Sequence, residues 1–266
     1  RIKRVINNFR LIGHSMGAYI VCCYLMKYNT PQNGLPVRQV VLASPMGTEP
    51  STFSLINHPD MQDKWSASSG LSDDFSLDDL DLEIPEELKE LWSSIGQPKF
   101  PSSFILKNIW KHRLSPFQIL QYSGPLYSKL LSYWTFARFK NITTNRNFDH
   151  KLHLKLHEYC YSIFDQFQRS GELAITKLVN CKILAKLPLC DRGFAKYLVD
   201  NSIEVLWLYG EHDWMNENGG FHIHSEVQNL DYNISKYHIV KDAAHHMYMD
   251  NLEEFNQYVI DLFSMK

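Results

Sequence analysis

Several features that would narrow the function of a chain quickly are missing from these 266 residues. No apolar run reaches the length of a membrane-spanning helix, and the basic start Arg1-Ile2-Lys3-Arg4 is not followed by the apolar stretch of a signal peptide. Any targeting signal is therefore expected upstream of residue 1. Charge of one sign is not in excess: the formal net charge is −2, which gives no electrostatic footprint for nucleic acid. The five cysteines (Cys22, Cys23, Cys160, Cys181 and Cys190) are odd in number and lack framework spacing, so reduced thiols are expected. There is no internal repeat or low-complexity linker.

Metal-ligand spacing is also lacking. His150, His153 and His157 read as one exposed helical face, and His222-x-His224 lacks a matching carboxylate or thiolate that would lift it above a surface pair. No metal and no cofactor are expected. What remains is a chain with 44% hydrophobic residues, enough to fill the core of a large domain.

Apolar strands are predicted at 9–12, 38–44, 203–209 and 235–240, with helices near 16–28, 217–230 and 251–264. Near-continuous apolar strands of this kind indicate a parallel sheet covered on both faces, an α/β fold. The middle is mostly helical and too long for an ordinary connection, which divides the chain into core at 1–46, a helical insertion at 47–200 and core again at 201–266. Within the insertion, Ser72 to Glu90 is an acidic run, expected as a solvated face. Residues 100–140 are aromatic and basic. Aromatics at helical spacing usually pack into a core, but Leu126 to Phe139 also has the composition of a membrane-surface element.

The chemistry-bearing motif is Gly13-His14-Ser15-Met16-Gly17, which joins a predicted strand to a predicted helix. G-x-S-x-G arises by chance in a chain this long, yet here its flanks match a nucleophile elbow. A tight turn exposes the serine hydroxyl beside a base, the two glycines leave room for the reversal, and the Met16 backbone N–H stands where an oxyanion would develop. Asp213 follows the strand at 203–209. His245 follows the strand at 235–240, with His246 beside it as a rival. All three positions fall at one edge of the predicted sheet, in the order Ser, Asp, His. The implied roles are nucleophile for Ser15, general base for His245 and imidazole orienter for Asp213.

Together with Tyr209-Gly210-Glu211-His212-Asp213-Trp214-Met215 and Ala244-His245-His246-Met247-Tyr248-Met249-Asp250-Asn251, the elbow resembles the α/β-hydrolase-domain lipid acyl hydrolases. Within that group it is similar to the fungal cardiolipin-specific phospholipases and the lysophosphatidic acid acyltransferase relatives. The resemblance covers the chain ends well and the middle poorly. It implies an α/β-hydrolase core with a helical cap inserted after the strand ending near Ser44, the triad Ser15, Asp213 and His245, and cleavage of acyl esters in a phospholipid.

His245-x-x-x-x-Asp250 also resembles the family's acyltransferase signature, although Asp250 followed by Glu253 equally reads as the N-cap and capping box of the last helix. Two other functions stay open: a non-catalytic lipid-binding module, and acyl-CoA-dependent transfer to a lysophospholipid. An intracellular protein at the periphery of a membrane is expected, with the mitochondrion as one candidate organelle and a phospholipid as substrate. Headgroup and acyl-chain preference are carried by no motif.

Only about eight residues precede the elbow strand, and no counterpart of the family's upstream oxyanion loop is present. The chain is therefore expected to be the C-terminal part of a hydrolase, weakly active or inactive by itself.

Overall fold

The computed structural model describes residues 8–50, 54, 56, 86–99, 104–112, 114–139, 143–144, 147–164, 175–231 and 233–264. Along the chain the order is β1 (Phe9–His14), α1 (Met16–Tyr28), β2 (Val37–Ala43), α2 (Glu86–Ile95), α3 (Phe104–Lys111), α4 (Pro116–Tyr122) and α5 (Tyr127–Arg138). A two-residue pair follows, β3 (Thr143–Thr144) and β4 (Asn147–Phe148), then α6 (His150–Phe164), α7 (Ile175–Leu178) and α8 (Phe194–Asp200). The last elements are β5 (Glu204–Gly210), α9 (Glu217–Leu230), β6 (Ser235–Val240), α10 (Met247–Asp250) and α11 (Leu252–Ser264).

β1, β2, β5 and β6 form one sheet in that order, and every pairing is parallel. Period-two alternation sends each strand's apolar residues to both faces. Val40, Leu42, Val205, Trp207 and Tyr209 enter one core with Ala18, Tyr19, Cys22 and Leu25 of α1 and Ile223 and Val227 of α9. Val41, Ala43, Leu206, Leu208 and Val240 enter a second core under Phe255, Val259 and Leu262 of α11. This two-sided burial is why the strands read as continuous apolar runs.

The chain between β2 and β5 divides its allegiance. Val179, Ile183, Ala185, Leu189, Phe194 and Leu198 pack into the first sheet core. α4, α5 and α6 instead share a small core of their own around Leu131, Phe139 and Cys160. The acidic run Ser72 to Glu90 lies outside the described residues apart from 86–90, the first turns of α2.

Two histidine expectations are corrected by packing. His153 is buried and meets the Phe136 ring edge-on at 4.8 Å, so the face of α6 that carries it turns inward. His224 is buried as well, its Nδ1 lying 2.7 Å from Ser235 Oγ. Both were expected at the surface. A helix that packs against a neighbour buries polar residues of its inner face once they find partners.

The elbow between β1 and α1 depends on one glycine more than the other. A Cβ at Gly13 would stand 2.6 Å from Ala18 Cα and 3.1 Å from Val21 Cγ2, whereas a Cβ at Gly17 would meet nothing within 4 Å. The close approach of strand and helix thus needs Gly13 alone. Gly13→Ala is expected to destabilise the protein by roughly 1–3 kcal/mol, and Gly17→Ala to be neutral or stabilising by about 0.5–1 kcal/mol as helix propensity improves. Urea unfolding of both variants checks this, and equal losses would contradict it.

Glu49 is fully buried beyond β2, and burial pushes its carboxyl up from 4.5 to about 7, against the pull of the Glu49 and Thr48 backbone N–H groups. Between those two values the folded state binds more protons than the unfolded state, so stability falls as pH rises through that window. Glu49→Gln removes the titration. It is expected to stabilise the protein at pH 8 by up to roughly 3 kcal/mol and to flatten the loss between about pH 5 and pH 7. An unchanged pH profile of unfolding free energy would contradict this.

Candidate active site

The parallel register aligns the strand ends: His14 pairs with Ala43, Ala43 with Leu208, and Gly210 with Val240. Residues just beyond those ends therefore meet at one edge, as ligand-binding groups do in open α/β sheets. Ser15 leaves β1, Ser44 leaves β2, Asp213 leaves β5 and His245 leaves β6.

Ser15 has φ 54° and ψ −125°, a region that costs energy for any residue with a Cβ. Its backbone is locked from both sides: the Ser15 N–H donates to Ala43 O at 2.9 Å, and Ser15 O accepts from Ala18, Tyr19 and Met46. The side chain makes no capping bond to α1. It is directed instead to His245 Nε2, 3.0 Å from Ser15 Oγ. Met16 opens α1, so its N–H has no acceptor within the helix.

His245 is buried, and its Nδ1 lies 3.0 Å from Asp213 Oδ1. An ionised carboxylate can only accept, so Nδ1 carries the proton and Nε2 presents its lone pair to the serine hydroxyl. Asp213 Oδ1 also accepts the Met215 N–H at 3.0 Å, and Oδ2 accepts from the Ser44 hydroxyl. Burial pushes this carboxyl up, but the bonds from His245, Ser44 and Met215 together hold it below the ordinary aspartate value. It remains ionised throughout the neutral range.

The loop carrying His245 is held by three neighbours. His14 Nε2 donates to the His245 carbonyl at 2.8 Å, and Asp250 Oδ2 accepts the N–H of Ala244 at 2.9 Å. Gly210 lets the loop pass over the end of β5, since a Cβ there would overlap the carbonyl oxygens of Ala243 and Ala244. Asp250 is not the N-cap of the last helix: Asn251 Oδ1 accepts from Glu254 N at 3.3 Å, one register later than the sequence suggested. The capping pair is Asn251 and Glu254, which leaves Asp250 free to face the His245 loop.

A cleft of about 340 Å³ opens against the imidazole, lined by Trp214, Ala244, His245, His246 and Asp250 together with Trp134, Ala137 and Arg138 of α5. The Trp214 ring lies 4.9 Å from the His245 ring and the His14 ring 4.6 Å from it. His246, the rival base, is turned away from Ser15 toward Arg138, whose Nη2 donates to His246 Nε2 at 3.2 Å. Burial, then the Arg138 charge, holds His246 at about 2, and burial with the neighbouring His245 holds His14 at about 4. Both rings are neutral near pH 7.

The structure thus brings Ser15, Asp213, His245, the Met16 N–H and Asp250 into one neighbourhood. The sequence reading missed Ser44, Arg138, Trp134 and Trp214, and assigned no role to His14 although it lies inside the motif. Strand-end position was a usable signal for Ser44. Arg138 and Trp134 lie in the stretch Leu126 to Phe139, which its composition marked as a membrane-surface element and not as part of the site. Among the described residues, the one cluster with metal-ligand proximity is Glu211, His212 and Asp242, which is exposed and separate from the cleft.

No family model matches the chain. It is 27% identical over 273 residues to the protein ECM18 of Saccharomyces cerevisiae, covering 99% of this chain and 50% of that protein. To the 1-acylglycerol-3-phosphate O-acyltransferase ICT1 of the same yeast it is 22% identical over 259 residues, with 97% of this chain and 56% of that protein covered. The chain therefore spans about half the length of the curated relatives it matches. Among solved structures, it is similar to the serine hydrolase CCSP0084 of Cycloclasticus zankles, with TM-score 0.50 and 11% identity over 98% of this chain and 65% of that one. With its parallel sheet, flanking helices and this likeness, the chain has the α/β-hydrolase fold.

Proposed function

We propose that the chain carries the catalytic residues of a serine-dependent acyl hydrolase that cleaves acyl esters of phospholipids through an acyl-enzyme. The observation that carries this reading is the imidazole of His245, 3.0 Å from Ser15 Oγ through Nε2 and 3.0 Å from Asp213 Oδ1 through Nδ1. Ser15 Oγ attacks the ester carbonyl as its proton passes to His245 Nε2, and the oxyanion forms opposite the Met16 N–H. The ester C–O bond then breaks, and His245 returns the proton to the departing alcohol oxygen. Water, deprotonated by the same imidazole, attacks the acyl carbon, the bond from that carbon to Ser15 Oγ breaks, and His245 returns the proton to Ser15 as the fatty acid leaves. Asp213, held ionised, keeps the imidazole in the required tautomer and stabilises the imidazolium in both steps.

Acyl transfer is the second reading, favoured by the 1-acylglycerol-3-phosphate O-acyltransferase among the relatives. A lysolipid hydroxyl would take the place of water on the same acyl-enzyme. Asp250 does not supply a separate transferase site with His245, because its carboxylate is bonded to the Ala244 N–H and supports the loop of the one imidazole both reactions share.

The lipid reading draws support from one face of α5 and the turn before it. Leu131, Thr135 and Phe139 of the stretch Leu126 to Phe139 turn inward, which narrows the membrane-surface expectation to Leu126, Leu130 and Tyr133, all exposed at helical spacing beside Lys129. Apolar tips with an adjacent cation suit an anionic membrane surface. Among the described residues no helix is long and apolar enough to cross a membrane.

Turnover of a short-chain ester and of a phospholipid by the full-length protein tests the reading. Ser15→Ala and His245→Ala are each expected to lower turnover by roughly 10³-fold or more with the fold intact. The pair Leu130→Glu and Tyr133→Glu is expected to lower cosedimentation with phosphatidylcholine–cardiolipin vesicles by at least about fivefold. Full turnover in Ser15→Ala would overturn the hydrolase reading, and unchanged cosedimentation would overturn the membrane face.

A further inference from the structure

Arg138 is a permanent cation in the wall of the cleft, and the reaction described above does not use it. It is the last residue of α5, and its guanidinium lies 5.2 Å over the Trp134 ring. Among the described residues one of its N–H groups is engaged, by His246 Nε2 at 3.2 Å. Among the described residues no carboxylate pairs with it. The acidic group in the same cleft, Asp250, accepts instead from the Ala244 N–H at 2.9 Å. The side chain is exposed at the cleft, and its neighbours there hold it below the ordinary arginine pKa by partial desolvation.

A guanidinium held between an aromatic ring and a neutral imidazole at the edge of a cleft is placed to meet an anion, through an attraction that salt screens. Its flat fork of donors matches the paired oxygens of a phosphate or carboxylate, and the cation–π contact with Trp134 helps to hold it at the cleft. The two histidines on either side of the His245 backbone do not compete for an anion, because both are neutral. His246 accepts from Arg138 through Nε2 and so carries its proton on Nδ1, giving the cleft a further neutral donor.

We propose that Arg138 is the anion-recognition group of this cleft, binding the phosphate of an acylated glycerol phosphate whose ester lies at Ser15, and so selecting anionic over neutral acyl lipids. The cleft volume suits a head group with the ester beside it, and the imidazole and the guanidinium line the same opening. The proposal deepens the acyl-ester reading and rests on it for the position of the ester. Recognition of the phosphate itself needs no bond to break.

Binding to full-length Ser15→Ala protein tests the proposal without any turnover. Trp134 and Trp214 in the cleft walls report occupancy through intrinsic fluorescence. 1-Oleoylglycerol-3-phosphate is expected to bind at least about tenfold tighter than 1-oleoylglycerol, a preference that shrinks as salt rises. Adding Arg138→Gln is expected to lower that affinity ratio by about tenfold or more, and adding Arg138→Lys to restore part of it through the point charge. Inorganic phosphate is expected to compete with the phosphate-bearing lipid and not with the neutral one; equal displacement of both would overturn the assignment. So would an affinity ratio that is unchanged in Arg138→Gln, or the absence of a preference in the parent protein. Loss of the acyl-hydrolase reading would show separately, as wild-type protein that binds these lipids and turns over neither.

Discussion

One imidazole joins the two ends of the chain. His245 Nδ1 meets Asp213 and Nε2 meets Ser15, whose position in sequence is 230 residues away. That bond exists because four parallel strands end at the same edge of the sheet, so that the residues just beyond β1, β2, β5 and β6 converge. The rest of the local structure serves the convergence. Gly13 permits α1 to turn close against β1, Gly210 permits the His245 loop to cross β5, and Ser44 supplies a hydroxyl to the second oxygen of Asp213. A strained serine backbone is maintained by hydrogen bonds from both neighbouring segments.

Charge around the site is unequally distributed, and this gives the cleft its character. Among the described residues, Asp213 is the one ionised group hydrogen-bonded to the His245 ring, kept so by several donors despite its burial. His14 and His246 flank the imidazole as neutral rings, the first donating to its backbone and the second accepting from Arg138. The permanent positive charge is contributed by α5, whose Arg138 reaches the His246 ring beside the imidazole. Of the helices between β2 and β5, α5 supplies residues to the cleft.

Much of the sheet was legible in the sequence because strands buried on both faces must be apolar almost throughout. The predicted runs at 9–12, 38–44, 203–209 and 235–240 match β1, β2, β5 and β6 to within about two residues at each end. Ser15, Asp213 and His245 were legible for the same reason, since each follows a recognisable strand. The contacts that refine them were not. Ser44 bonds to Asp213 across 169 positions, and Arg138 reaches His246 across 108, separations over which local pattern carries no signal. Asp250 was misread because an acidic residue before a helix is a good cap, and only the loop geometry shows that the neighbouring Asn251 takes that role. His153 and His224 were assigned to the surface by residue type, but each lies on the inward face of its helix.

The central claim is that His245 activates Ser15. Reaction of the full-length protein with a fluorophosphonate, followed by peptide mapping, measures that directly. The account predicts a covalent adduct on Ser15 that forms at least about 10³-fold more slowly in His245→Gln protein of native stability. Labelling of Ser15 at the same rate in both proteins, or no adduct at Ser15 in the wild type, would contradict it.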